Sequence, residues 1–378
     1  MKSMILLFLV FAVAQLSKAE EKLKFVFVTA RGADYEACDY KGGPMITKRD
    51  EKESKLTENG KRNAFELGQK IGETYKTKLG VSKWDPKTNF WPIAAPSKRA
   101  QTSTLITAAG MEGDQSKRDK SWTDEELKKT TFPAVFAFFN YMNPRECPKY
   151  FEQLMMKKNK IKTILQKCGN SMIEIKKHYD SVDPTKPEHI WVTYETLKKL
   201  KTQQPSGLDW VTDNIMKNLK ECSAEFTWMA TTSSKTLRQL TGGLILYDIF
   251  NDMNEILQGK AQPHATGGKE NKLSLFTAPQ ELLIPKLAVF MPPGTLLDNK
   301  EITPMDFYPE AGAHLNTEMY EENGKWKIKL IYYNGKNQPG KTIKLPNCEE
   351  KCPFRKFQKK LQNFMINEEE HKKSCKGL

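Results

Sequence analysis

From Leu23 to Thr29 the chain reads LKFVFVT, and Phe25 to Thr29 is an apolar, β-branched and aromatic run with the brevity of a buried strand. Farther on, Leu56, Ala64, Leu67, Ile71 and Tyr75 recur at helical spacing, which predicts a helix with Thr57 as N-cap and Gly80 as its stop. Phe90 to Ala95 reads as a second strand that ends in the loop Pro96-Ser97-Lys98-Arg99, and a helix from about Ala100 to Ala109 follows. This repeated strand–loop–helix order predicts an α/β sheet with functional loops at the strand ends. From about residue 119 to 235 the pattern changes. The segment is rich in Lys, Glu, Met and Phe, with helical runs over Tyr150–Lys167 and Asp209–Glu221, and it predicts a mainly helical cap inserted into the α/β core. The chain then resumes with a long helix, Ser234 to Gln258, containing Gly242-Gly243. A strand is expected over Leu287–Met291, ending at Pro292-Pro293-Gly294. His314–Tyr320 and Trp326–Tyr333 read as a hairpin turned at Asn323-Gly324. No internal repeat or low-complexity tract interrupts this order.

Ahead of the first strand, MKSMILLFLVFAVAQLSKA has a basic start, an apolar run from Ile5 to Leu16, and small residues at Ser17 and Ala19. That is the pattern of a secretory signal peptide over residues 1–19, and its apolar run is too short for a comfortable membrane span. The core is then expected in residues 20–118 and 236–378, with the cap over 119–235. The net charge is +14, less two once Lys2 and Lys18 leave with the leader. The lysines are spread along the whole chain and read first as solvated faces. The other reading is weak attraction of polyanions such as heparan sulfate, DNA or anionic membranes. No aromatic-interleaved basic module or finger spacing points to specific nucleic-acid recognition, and no spanning segment points to a membrane partner.

All seven cysteines follow the leader, so in an oxidising compartment disulfides are expected. Cys348 and Cys352 are close enough for a local bridge. Cys147 with Cys375 and Cys168 with Cys222 are taken for the rest, leaving Cys38 over, although sequence alone does not fix the connectivity. Cysteine and histidine spacing offers no zinc site, no cofactor motif is present, and there is no Asn-x-Ser/Thr sequon.

Several stretches together resemble the histidine acid phosphatases: LTENGKRNAFELGQKIGETY, CPKYFEQL, TLRQLTGGLILYDI, GAHLNTEMY, IYYNG and IKLPNCEEKCPFRKF, in order, over nearly the whole chain after the leader. The last of these resembles that family's C-terminal disulfide loop. The resemblance implies a histidine-phosphatase-like α/β sandwich core with an inserted helical cap. It also implies a loop Arg-His-Gly-x-Arg-x-Pro after the first strand, where Ala30, Arg31, Asp34 and Glu36 now stand for the Arg, His, second Arg and Pro. A later His-Asp pair is expected after a strand and falls on Pro293 and Gly294 in VFMPPGTLL, with Thr295 retained. Of the three phosphate-holding arginines considered, Arg99 in SKRAQTSTL survives. A phosphohistidine mechanism needs a neutral imidazole and a cluster of cations around the phosphoryl oxygens. The five histidines, at 178, 189, 264, 314 and 371, lie outside both motifs, and His314 reads as an ordinary strand residue. The resemblance therefore implies a degenerate, non-catalytic member, similar to the flea salivary branch of the family.

In such a cleft Asp34, with Tyr35 and Glu36 adjoining, inserts negative charge where cations once stood, and Arg31 fills the nucleophile position. That inversion favours a small organic cation with an aromatic body, held by a carboxylate and by aromatic faces. Trp191 and Tyr194, in the cap segment that aligns with the family's lid, are candidate walls. The expected ligand is a biogenic amine, serotonin or a catecholamine. The alternatives are a residual phosphomonoesterase, a binder of anionic lipid mediators such as eicosanoids, and a plain structural ion pair between Asp34 and Arg31 or Arg99.

Overall fold

Strand β1, Lys22–Arg31, runs through the interior of a nine-stranded sheet. The computed structural model describes residues 21–35, 55–86, 88–94, 98–129, 145–203, 205–259, 271–278 and 280–378. The expected leader, Glu36, Cys38, Pro96-Ser97 and His264 lie outside the described residues. After β1 come α1 (Glu58–Lys76), β2 (Phe90–Ala94) and α2 (Lys98–Glu112). The helices α3 (Asp124–Lys129), α4 (Pro148–Met155), α5 (Lys158–His178), α6 (Pro187–Gln203) and α7 (Asp213–Thr232) follow. The chain continues through α8 (Lys235–Leu257), β3 (Leu273–Ala278), α9 (Gln280–Phe290), β4 (Leu296–Leu297), β5 (Lys300–Glu301) and α10 (Pro304–Phe307). It closes with β6 (His314–Glu322), β7 (Lys325–Tyr333), β8 (Lys341–Lys344), β9 (Cys352–Pro353), α11 (Phe354–Leu361) and α12 (Glu368–Lys376).

The strand order is β2-β3-β1-β6-β7-β8-β4-β5, with β9 against β7. β1, β2 and β3 are parallel, and β6 joins the far side of β1 antiparallel. Side chains alternate across β1: Val26, Val28 and Ala30 pack with Leu67 and Ile71 of α1 and Met111 of α2, while Phe25 and Phe27 face α8 and α9. A helix layer thus covers each face, and a fully buried Val or Phe contributes about 1.5–3 kcal/mol. Helix α1 begins where expected, with the Thr57 hydroxyl accepting from Gly60 N at 2.8 Å. The long helix α8 is capped by Ser234, whose hydroxyl accepts from Leu237 N at 3.1 Å. The β6–β7 turn places Asn323 and Gly324 at φ 51° and 72°, the left-handed geometry that a two-residue Asn-Gly hairpin uses.

All three expected disulfides form: Cys147–Cys375, Cys168–Cys222 and Cys348–Cys352. One element is corrected. Leu287–Met291 is not a strand; Leu287–Phe290 is the last turn of α9, and the strand lies earlier, over Leu273–Ala278. Leu283, Ile284, Leu287, Ala288, Val289 and Phe290 are all buried, so the helix shows no polar face to betray its period. Pro285 inside it is a residue that normally stops a helix.

Candidate functional site

The carboxyl ends of β1, β2 and β3 point the same way, and the loop after β1 is fixed there by backbone hydrogen bonds on both sides. Arg31 N donates to Ala313 O at 2.8 Å and Gly32 N to Ala278 O at 2.7 Å. Ala33 N donates to the hydroxyl of Ser103 on α2, also at 2.8 Å. Asp34 O accepts from Thr57 N at 3.1 Å. Here Gly60 is required by close approach: a Cβ on it would stand 2.1 Å from Asp34 O. The Thr57-Glu58-Asn59-Gly60 motif therefore caps α1 and seats the loop that carries Arg31, Asp34 and Tyr35.

Arg31 points away from the Val26 face, toward the cap, and its guanidinium is committed. Nη1 donates to Pro309 O at 2.8 Å and Nη2 to Glu195 Oε2 of α6 at 3.1 Å. The other Glu195 oxygen accepts from the Tyr308 hydroxyl at 2.7 Å. Burial would push the Glu195 carboxyl up, but Arg31, Lys198 and the Tyr308 hydroxyl outweigh it and hold it below the ordinary carboxylate range. Burial likewise opposes the charge on Arg31, and Glu195 and then Asp34 more than restore it. Tyr308, buried beside the same carboxylate, is driven well above a free phenol. A second acid, Glu310, is bridged by Lys198 of α6 and by Lys220 of α7, the latter at 2.5 Å.

Tyr35, half-buried, extends this cluster. Arg99 stacks its guanidinium 3.6 Å from the ring centroid, and the Lys199 ammonium of α6 sits 3.2 Å from it. Gln203 Nε2 donates to Tyr35 O at 3.1 Å, so α6 grips the loop at three points: Glu195, Lys199 and Gln203. The Asp34 carboxylate is half-buried and accepts no hydrogen bond from any described residue. Tyr194 meets Tyr308 edge-on, with centroids 5.9 Å apart. Trp191, one helical turn before Glu195, shares its stripe of α6 and keeps a buried indole N–H without a described acceptor.

Arg31, Asp34, Tyr35 and Arg99 thus meet at one strand end, while Tyr194 is linked to it through Tyr308 and Trp191 is carried on the same cap helix. Pro293 and Gly294 do not join them. With the expected strand replaced by α9, they are exposed residues in the turn before β4, a strand four places from β1 in the sheet order. The strand end beside Arg31 belongs to β3, where Gln280 is buried and its amide nitrogen has no described partner. His314 pairs with Ala30 and so shares the α1 face, away from Arg31. Its Nδ1 is 3.0 Å from Gly312 O, its ring stacks on Tyr333 at 4.3 Å, and burial pushes its pKa down to about 4.

Sequence reasoning missed Glu195, Lys199, Tyr308 and Glu310. The available signal was Arg31 itself, because a cation buried at a strand end requires a carboxylate from a facing element. Among the described residues there is no group of three His, Cys, Asp or Glu that could hold a metal, and no helix long and apolar enough to cross a membrane.

Residues 33–333 match the model of the histidine phosphatase superfamily (branch 2). The chain is 65% identical over 377 residues to the acid phosphatase-like protein XcAP-3 of Xenopsylla cheopis, covering 100% of this chain and 99% of that protein. It is 57% identical over 373 residues to XcAP-1 of the same flea, covering 99% and 100%. In fold it is similar to the phytase of Citrobacter braakii, with a TM-score of 0.64 at 12% identity, over 92% of this chain and 99% of that one.

Proposed function

The chain belongs to branch 2 of the histidine phosphatase superfamily, as an acid phosphatase-like protein of the flea type, and from that premise we propose that it binds a small cationic aromatic ligand without turning over phosphate esters. The ligand class that suits the cleft is a biogenic amine, serotonin or a catecholamine, captured from a host by a protein secreted in saliva. Three disulfides fit an oxidising, extracellular setting.

One observation carries the reading. At the position that resembles the nucleophile stands Arg31, tied to Glu195, while the carboxylate next to it, Asp34, is left without a described donor beside an aromatic ring. A guanidinium cannot form the covalent phosphoryl intermediate, and Ala30 and Asp34 remove two of the cations that would steady phosphate oxygens. Asp34 offers an ammonium a counter-ion, and Lys199 marks the place: its own ammonium already rests 3.2 Å from the Tyr35 centroid, where a ligand amine would compete with it. Trp191 and Tyr194 supply apolar wall to the same side.

Calorimetric titration with serotonin tests the proposal. Asp34→Ala should weaken binding by about 1.5–3 kcal/mol, the worth of a hydrogen bond to a charged group, and Asp34→Asn should lose less. Unchanged or tighter binding in Asp34→Ala sinks the counter-ion role, and a site for eicosanoids or other anions predicts that opposite sign. In a parallel assay the wild type should release no phosphate from aryl phosphates at acid pH, and Arg31→His alone should not restore turnover. Hydrolysis that a single cleft substitution abolishes would overturn the non-catalytic reading.

A further inference from the structure

Where α4 turns into α5, two consecutive methionines stand in the open. Met155 is 66% exposed and Met156 64%. Only five large apolar side chains among the described residues are largely exposed, the others being Ile173, Met305 and Leu378, so an adjacent pair is not the ordinary scatter of surface apolar groups. The Met156 side chain makes one weak polar contact with a described residue, from Gln153 Nε2 to its sulfur at 3.5 Å.

Lysines follow the pair directly. Lys158, Lys160 and Lys162 are exposed and Lys157 half-exposed, and none of the four has a carboxylate partner among the described residues. No Asp or Glu occurs from Gln153 to Ile173. The acids bordering this stretch are already engaged: Glu152 with Lys149, Glu174 with Lys177, and Glu221 and Glu225 with Lys167. Helix stability does not explain the arrangement. The first turn of α5 has no acidic residue and no side-chain cap, so its lysines lie against the positive end of the helix. The corner is also clamped from both sides, α4 by Cys147–Cys375 and α5 by Cys168–Cys222, so docking there orders little chain.

We propose that the α4–α5 corner docks on an anionic phospholipid surface, the two methionines entering the headgroup boundary and Lys157, Lys158, Lys160 and Lys162 meeting the lipid phosphates and carboxylates. This is adsorption, not spanning, and it uses no residue of the amine cleft. The methionines select this partner over a sulfated glycan or nucleic acid: a linear polyanion needs the lysines alone, whereas exposed apolar side chains next to a run of lysines are the mark of an interfacial segment.

Flotation of the full secreted chain with phosphatidylcholine vesicles, with and without phosphatidylserine, tests it, with retention on immobilised heparin as the comparison. Binding should require phosphatidylserine. Replacing the four lysines together by Gln should lower vesicle partitioning at least about tenfold, given the attraction each lysine feels near an anionic leaflet. Met155→Ser/Met156→Ser should lower it several-fold while leaving heparin retention unchanged. Removing the same charge from α11, with Arg355, Lys356, Lys359 and Lys360 changed to Gln, should have little effect on vesicles. The proposal is overturned if the wild type floats with neither vesicle or equally with both. It also fails if the methionine variant binds phosphatidylserine like wild type, or if the α11 variant loses as much as the corner variant. All substituted positions are at the surface, and an unchanged melting temperature verifies that each variant is folded.

Discussion

Arg31 and Glu195 are a buried pair, with side chains 9% and 12% exposed, and each costs the protein more alone than together. Arg31→Met should therefore destabilise by about 3–5 kcal/mol in urea unfolding, because it strands a carboxylate under the cap. Adding Glu195→Gln should recover much of the loss; a double variant as unstable as the single one would refute the pairing argument. Since Glu195 is held below the ordinary carboxylate range, its contribution is present above that range and fades as pH falls through the lowered value. Lys286 of α9 is a different case. It is fully buried, donates to the Thr29 hydroxyl, and lies 3.9 Å from the Phe27 ring centroid. Burial pushes its ammonium well below the usual value despite Asp252, and burial, with Asp248 and Glu255, raises Asp252 to about 7. A raised acid favours the fold below the ordinary carboxylate range, an advantage lost as pH climbs toward 7. A lowered lysine disfavours the fold until pH nears its ordinary value, where the unfolded chain also loses the proton. Lys286→Met should accordingly stabilise by about 1–3 kcal/mol near pH 5, where Asp252 carries its proton, with a gain that shrinks as pH approaches 10. A gain independent of pH would count against a buried ammonium. Of these residues only Arg31 drew notice in the sequence, through its position in a loop motif. Glu195 and Lys286 look like any other charges of helical segments, and what makes them matter is depth, which one-dimensional spacing does not carry.

Elements were legible where amphipathic period and caps agreed. Thr57, Ser234 and Asn323-Gly324 each fix a boundary by local hydrogen bonding or backbone geometry, and all three stand where local chemistry puts them. The failure at α9 has the opposite cause: from Leu283 to Phe290 its described side chains are all buried, Lys286 included, so no solvent-facing polar stripe marks its turns. That misreading moved the second expected pair to Pro293-Gly294 and hid the β3 end, where Gln280 sits. The enclosure has a packing counterpart in α8. A Cβ on Gly242 would stand 2.5 Å from Pro285 O and 2.6 Å from Val289 Cγ1, so α8 and α9 touch through bare backbone. Gly242→Ala gains roughly 1 kcal/mol of helix propensity, yet it should still destabilise the protein by about 1–3 kcal/mol through overpacking. A neutral or stabilising result in thermal unfolding would mean that the two helices separate easily.

For the molecule as a whole, the strand–helix order and the lysine- and methionine-rich insertion made the α/β sheet and a helical cap readable in advance. How the cap meets the core was not, because the contacts of Glu195, Lys199 and Gln203 with the β1 loop all join residues more than 100 positions apart. Those contacts place a cap helix directly on the β1 loop and hold it from one side, the condition under which the proposed ligand would bind with little reordering. The Cys147–Cys375 bridge acts on a larger compass. It joins positions 228 residues apart, fastening α4 to the terminal helix α12. A protease that cuts once anywhere between these two cysteines opens the backbone but releases no fragment, since both pieces stay on one sulfur–sulfur tether. The segment so protected contains α5, α6, α7, α8, β3 and the hairpin, so a nicked molecule in protease-rich fluid keeps the partners of Arg31 at hand and separates only when it is reduced.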